Sequence, residues 1–190
     1  LLAVISLVPR AFADPRGWFS ETYNQARAAQ DGIDAVFCQD NQSFSRHAGT
    51  VRGLHFQRPP SAQAKLVRCV RGSIWDVAVD VRRGSPTYGQ WVADTLSADN
   101  RRQLFIPVGF LHGFVTLEDD TEVAYKCSAL YDPASDGGIK WDDPALALPW
   151  PLEGHKPLLS EKDEKLPAFA LFDSPFDYDG VPLAALPEAE

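Results

Sequence analysis

Turn residues cut this chain into short runs. Fifteen prolines and thirteen glycines separate segments in which apolar and polar positions alternate. The clearest is Trp75, Val77, Val79 and Val81 interleaved with Asp76, Ala78, Asp80 and Arg82. A period of two marks a strand with one buried face. Just before it, residues 65–71 run into Gly72-Ser73, a hairpin signal. Further strands are expected over 18–23, 35–44, 50–57, 89–96, 103–106, 113–117 and 121–127, with turns at 83–84, 99–100, 107–109 and 119–120. The apolar opening, 1–8, reads as a first strand. Only 24–30 reads as a helix, with Ala26, Ala28 and Ala29 as good formers. From Tyr131 onward prolines recur, and the expectation is irregular coil wrapping the domain. Many short strands with almost no helix predict an all-β fold, a jelly-roll sandwich or barrel over 1–190, with a short helix and a Pro-rich C-terminal segment.

Composition narrows the partners. Hydrophobic residues make up 45% and charged residues 23%, which excludes disorder over most of the chain. The net charge of −8 repels phosphate backbones, so no nucleic-acid partner is expected. A small anionic ligand would need a local cluster of Lys and Arg. Cys38, Cys69 and Cys127 form neither a disulfide framework nor a CxxC pair, and a reducing cytoplasm is the simplest expectation. No run approaches the ~18 apolar residues of a membrane span. The opening lacks the basic leader and small-residue cleavage site of a signal peptide.

Several side chains that can do chemistry lie in these runs. His55 stands in Arg52-Gly-Leu-His55-Phe-Gln57, and Lys65 opens a strand. His112 follows Pro107 and Gly109 in Ile106-Pro-x-Gly-Phe-x-His112-Gly-Phe, so a fixed backbone aims it. Tyr125 lies in a strand, Tyr131 precedes Asp132-Pro133, and Asp163 sits in a charged run. Singly, each has an ordinary reading: a packed histidine, a solvated lysine, a core tyrosine, a surface carboxylate.

Together they match a pattern. In order, the chain carries Asp14-Pro-Arg16-Gly-Trp-Phe-Ser-Glu21, Gln39-Asp40-Asn41-Gln-Ser43, Arg52-Gly-Leu-His55-Phe-Gln57 and Gln63-Ala-Lys65-Leu-Val-Arg68. Asp76-Val-Ala-Val-Asp80, Gly84-Ser-Pro-Thr-Tyr-Gly89, the His112 segment and Leu159-Ser-x-Lys162-Asp163 follow. Over residues of about 8–167 the chain closely resembles the dTDP-4-dehydrorhamnose 3,5-epimerases. The tail, 168–190, carries no motif.

The resemblance implies a cupin-type jelly roll, a homodimer with an exchanged strand, and a dTDP-4-dehydro-6-deoxy-hexose substrate inverted at C3 and C5, giving dTDP-4-dehydro-rhamnose. It implies His55 as proton acceptor, Tyr125 as proton donor, Asp163 as the carboxylate that orients His55, and Lys65 near the C4 carbonyl. Tyr131 falls on the thymine-stacking position. Arg16, Glu21, Gln39, Asp40, Asn41, Arg52, His112, Asp136 and Lys162 fall on substrate-contact positions, with Asp136 where relatives usually carry Glu.

No cofactor and no metal are expected. Metal-binding cupins usually present a His-x-His pair, and here Gln57 replaces its second member. Two histidines without a nearby Glu are too few for a catalytic metal site. Competing readings are an epimerase that inverts only C3 or only C5, a sugar-nucleotide-binding cupin without catalysis, and a metal-dependent cupin isomerase or dioxygenase.

Overall fold

Alternation along the strands sorts the apolar side chains into three layers. The computed structural model describes residues 3–186. Within them lie β1 (Ile5–Leu7), β2 (Ala11–Asp14), β3 (Gly17–Ser20), α1 (Gln25–Gln30), β4 (Gln39–Ser45), β5 (Val51–Gln57), β6 (Lys65–Arg71), β7 (Ser73–Asp80), β8 (Trp91–Ser97), β9 (Gln103–Ile106), β10 (Phe110–Thr116), β11 (Thr121–Cys127), β12 (Asp136–Gly138) and α2 (Glu161–Glu164). One antiparallel sheet runs β1-β9-β6-β11-β4, the other β12-β5-β10-β7-β8, and β2-β3 forms a separate hairpin. This is the expected jelly-roll sandwich.

The central layer lies between the sheets and contains Val67, Ile74, Ala78, Leu96, Leu104, Phe110, Phe114 and Val123. On the outer face of the first sheet, Ile33, Leu66 and Phe105 pack with Ala28 of α1. On the outer face of the second, Leu54, Val77, Val79 and Leu111 are covered by Leu146, Trp150, Phe169, Phe172 and Phe176. The Pro-rich segment is therefore a cover for a sheet face, which explains its aromatic content.

Two expectations change. The turn at Gly72-Ser73 does not make a hairpin: β6 joins one sheet and β7 the other. Gly72 takes φ 75°, and a Cβ there would lie 2.4 Å from Thr121 Oγ1, so only glycine fits this corner. The alternation in β7 also fails to produce a wet face. Val77, Val79 and Val81 turn outward under the C-terminal cover, while Asp76 and Asp80 are fully buried on the opposite side. Burial of both aspartates is possible because each is hydrogen-bonded, Asp76 to His112 and Asp80 to Arg82, Ser85 and Thr87.

Smaller differences lie at the ends of elements. The strand expected over 35–44 starts at Gln39, since Ala35 and Phe37 instead pack on the α1 layer. The one expected over 113–117 begins earlier, at Phe110, and residues 18–23 contribute only the second arm of a hairpin. The first strand is Ile5–Leu7, and residues 1–2 of the expected opening lie outside the described residues. The C-terminal region also holds β12, α2 and a 3-10 turn at Phe169–Leu171.

Arg82 ties the end of the chain down. It is 1% exposed, bonds both Asp80 oxygens at 3.0 and 2.8 Å, and reaches Asp179 at 2.7 Å and the Val181 carbonyl at 2.9 Å. Leu183 then packs into the central layer. Arg82→Met leaves Asp80 buried without its cation and is expected to lower unfolding stability by about 3–5 kcal/mol. Urea unfolding measures this, and adding Asp80→Asn should recover part of the loss. A single-variant loss below about 1 kcal/mol would show that the pair is not what holds the tail.

Candidate active site

The site is built from side chains that the strands turn inward at one end of the sandwich. β5 and β10 pair so that His55 lies opposite His112. Their approach is close: a Cβ on Gly53 would lie 2.6 Å from the Gly113 Cα. In the facing sheet, β6 presents Lys65 and β11 presents Tyr125. These four residues, with Arg52, Lys162 and Asp163, line a cavity of about 420 Å³. A second cavity of about 600 Å³ shares Ser43, Arg52, His55, Lys65, Tyr125 and Lys162 with the first and adds Gln39, Asn41, Tyr131 and Asp136. The two form one cleft, large enough for a nucleotide sugar.

His55 and Asp163 are 108 positions apart in sequence, yet His55 Nε2 lies 2.5 Å from Asp163 Oδ1. The histidine side chain is 28% exposed and that of Asp163 4%. Ser160 caps α2, its hydroxyl accepting from the Asp163 N–H at 3.1 Å. Burial pushes the Asp163 carboxyl upward. The His55 hydrogen bond and charge, the Gly53 N–H and the Ser160 hydroxyl outweigh this and hold it below the usual carboxylate range. An ionised carboxylate only accepts, so it holds neutral His55 with the proton on Nε2 and leaves Nδ1 bare. That is the geometry of an oriented general base.

Burial pushes the Tyr125 phenol above its ordinary value, with a hydrogen bond to Asn41 opposing, so it keeps its proton at neutral pH. Lys65 Nζ sits 5.9 Å from the Tyr125 ring centroid. At the outer end, Tyr131 is 57% exposed; its hydroxyl donates to Asp136 at 3.3 Å, and Lys162 pairs with the same carboxylate. Gln39 Oε1 accepts from the Tyr131 N–H at 2.8 Å. Arg52 donates to the Phe44 carbonyl at 3.1 Å. Arg52, Lys65 and Lys162 bring to the cleft the local positive charge that an acidic protein needs for an anionic ligand.

Asp40 borders the second cavity, with its carboxylate 2.9 Å from Lys126. Two expected contacts fall elsewhere in the single chain. Arg16 stands in the β2–β3 turn, with its side chain 90% exposed and bonded to Asp14. Glu21 lies 3.5 Å from Arg27. Neither Arg16 nor Glu21 borders the cleft. Gln57 donates to the backbone carbonyls of Ser61 and Leu130 at 2.6 and 3.2 Å, so its amide is a structural tie. Among the described residues no group of three His, Cys, Asp or Glu side chains is placed to hold a metal ion.

The family model for dTDP-4-dehydrorhamnose 3,5-epimerase matches residues 1–170. The chain belongs to this family. The epimerase of that name from Sinorhizobium fredii is 49% identical over 178 residues, covering 93% of this chain and 91% of the relative. The crystal structure of the Bacillus anthracis epimerase with TDP and PPi bound superposes with a TM-score of 0.84 at 49% identity, covering 87% of this chain and 93% of that one. The Legionella pneumophila epimerase in complex with dTDP-4-keto-L-rhamnose gives 0.85 at 44% identity, with 90% of each chain covered.

Within this epimerase site, the sequence pattern did not single out Ser43 or Asp76. Ser43 Oγ is the one buried side-chain polar atom without a hydrogen-bond partner among the described residues, and Ser43 borders both cavities. A lone serine in a strand carries no visible signal. Asp76 was hidden because polar positions in an alternating strand ordinarily face water.

The lowered Asp163 pKa fixes a sign. A carboxyl depressed on folding contributes stability that is present above its unfolded value of about 3.9 and is lost as pH falls through the lower folded value. Wild type is therefore expected to lose its stability advantage over Asp163→Asn below about pH 4, while keeping it at pH 7. Urea unfolding across pH measures this, and a pH-independent difference would remove the ionised carboxylate from the account. Turnover of Asp163→Asn should fall by about 10²-fold or more, since the imidazolium formed in catalysis loses its counter-charge.

Proposed function

We propose that this epimerase inverts C3 and C5 of dTDP-4-dehydro-6-deoxy-glucose, with His55 as base and Tyr125 as acid. The observation that carries the reading is one cleft holding a carboxylate-oriented imidazole, a protonated phenol and the Lys65 ammonium. Both carbons flank the C4 ketone, so one polarised carbonyl acidifies both hydrogens. His55 Nδ1 takes the proton from C3, and the C–H electron pair moves into an enolate. The negative charge develops on the C4 oxygen, where the Lys65 ammonium stabilises it by several kcal/mol in a desolvated site. Tyr125 then donates a proton to the opposite face of the carbon. Exchange with solvent resets both groups, and the same cycle acts at C5. Every proton and electron pair is accounted for without a cofactor.

Binding follows the cleft outward. The Arg52 and Lys162 cations suit the diphosphate, and the exposed Tyr131 ring suits the thymine. Asp136 holds Lys162 and the Tyr131 hydroxyl in position. His112, Gln39 and Asn41 border the sugar and base ends. The unpartnered Ser43 hydroxyl is a further hydrogen-bond donor toward the ligand.

Arg16 and Glu21 fit a dimer in which the β2–β3 hairpin reaches a second copy. Phe12, Trp18 and Phe19 on that hairpin are 50, 61 and 70% exposed, an apolar surface that a partner would cover. A cytoplasmic setting suits three cysteines that are unpaired in the structure, and no helix among the described residues is long and apolar enough to cross a membrane.

Proton NMR of the substrate with enzyme in deuterated water tests the reaction. Deuterium is expected at both C3 and C5 of the product; label at one carbon alone would make this a single-centre epimerase. His55→Ala should lower exchange at both positions by about 10²–10⁴-fold.

The two tyrosines separate by their phenylalanine variants. Tyr125→Phe should keep binding while inversion falls, with labelled but uninverted sugar released as His55 returns a proton. Tyr131→Phe should be nearly silent, and Tyr131→Ala should weaken binding by ~1–3 kcal/mol. Inversion lost in Tyr131→Phe but kept in Tyr125→Phe would reverse the assignment.

A further inference from the structure

Behind the cleft lies a second histidine–carboxylate pair that the proton transfers do not use. Both Asp76 oxygens lie near one nitrogen, His112 Nε2, at 3.1 and 3.0 Å. Asp76 is fully buried and His112 is 6% exposed. His112 is the sole hydrogen-bond partner of the Asp76 side chain among the described residues, and His112 Nδ1 has none. Lys65, on the facing sheet, makes no ion pair among the described residues. A half-buried ammonium without a counter-ion is costly, yet a direct salt bridge would occupy the donors that must meet the C4 oxygen.

We propose that Asp76 is a positioning residue for the epimerisation. It locks His112 as the Nε2–H tautomer, and it supplies the through-space counter-charge that keeps Lys65 protonated but unpaired. This rests on the role given to Lys65 above.

The charges around the cluster support the assignment. Lys65 is faced by Asp76 from β7, Cys127 and Tyr125 from β11, Asp136 from β12, and Lys162 from α2. Asp136 is already paired with Lys162, and the Cys127 thiol is pushed up by burial and stays neutral. Asp76 is thus the one of these groups whose negative charge is not matched by its own cation. Around the pair itself lie Asp94, on the strand beside Asp76, and His55, opposite His112.

Burial lowers the Lys65 pKa, with Cys127, Asp76 and Asp136 opposing. Burial also lowers that of His112, with the Asp76 charge and hydrogen bond opposing and Lys65 lowering it further. Burial raises the Asp76 carboxyl, and His112 and Lys65 oppose this. Lys65⁺, Asp76⁻ and neutral His112 sum to zero. An imidazolium in place of the imidazole would leave a buried net positive charge.

Asp76→Asn tests this, because it keeps shape and a hydrogen-bonding oxygen for His112 while removing the charge. With folding verified by thermal melting, kcat is expected to fall about 10–100-fold with KM within about threefold. The Lys65 titration, followed by the carbon-13 shift of its Cε, should move about one pH unit lower. The alkaline limb of kcat/KM should move in the same direction.

A second measurement needs no variant: nitrogen-15 shifts of His112 in the wild type should show a neutral ring protonated at Nε2 around pH 7. A folded Asp76→Asn variant with unchanged kcat and unchanged Lys65 titration would overturn the proposal. So would a wild-type His112 protonated at Nδ1. If the NMR results hold and the wild type does not epimerise the substrate, the proposed reaction fails while the charge arrangement stands.

Discussion

The contact between His55 and Asp163 depends on almost everything else in the molecule. The two residues are 108 positions apart, so an imidazole on β5 is oriented by a carboxylate from a segment that follows the whole sandwich. Loop closure over such a distance is entropically unfavourable, and a four-residue helix has little stability of its own. Backbone hydrogen bonds flank α2 on both sides, from the Val51 N–H to the Leu158 carbonyl and from the Lys140 N–H to the Pro167 carbonyl, each 2.9 Å. Further along, Phe169, Phe172 and Phe176 pack with Trp150 over Leu54, Val77, Val79 and Leu111, and the tail beyond is pinned by the buried Arg82. Pairing with β5 and burial of the following segment therefore anchor the carboxylate that meets His55.

The strands also divide chemistry from packing. On β5, Leu54 and Phe56 face the outer apolar layer while His55 and Gln57 lie toward the interior. On β10, Leu111 packs outward and His112 lines the cleft between Phe110 and Phe114 of the central layer. Each reactive group thus sits between anchored neighbours, and its position is fixed by a pleat with apolar contacts on both faces. A site on rigid strands holds small distances better than one on loops, which suits a reaction that needs an acid and a base on opposite faces of one sugar ring.

The fold class was legible because turn residues and period-two runs leave few alternatives to a sandwich. Sheet membership was less so. Residues 65–71 and 73–80 look like the arms of a hairpin, but the corner at Gly72 sends them to opposite sheets. That choice depends on Thr121 standing against Gly72, a contact 49 residues away in sequence. Seven of the expected site residues, His55, Lys65, Tyr125, Asp163, Arg52, His112 and Lys162, meet in one cavity. Local pattern alone would not have assembled them; their motifs did. Arg16 and Glu21 stay outside the cleft in the single chain. Asp76 escaped notice because a polar residue every second position is the ordinary sign of a wet face. Its burial follows from a partner on β10, which no local pattern can report.

An acidic protein that handles a dianionic nucleotide has to concentrate positive charge without losing it to burial. At the cleft mouth, Arg52 and Lys162 do this cheaply: Lys162 is half-exposed and shares Asp136 with Tyr131, so solvent screens what the carboxylate does not. Deeper in, the same solution would fail. A carboxylate touching Lys65 would compete with the substrate oxygen, and no carboxylate at all would let burial deprotonate the ammonium. In the proposed arrangement Asp76, bonded to His112 on the strand beside it, meets both demands, because Coulomb attraction falls off slowly at low dielectric while a hydrogen bond needs contact. The His112 imidazole occupies both Asp76 oxygens, so the carboxylate is not free to take the lysine for itself.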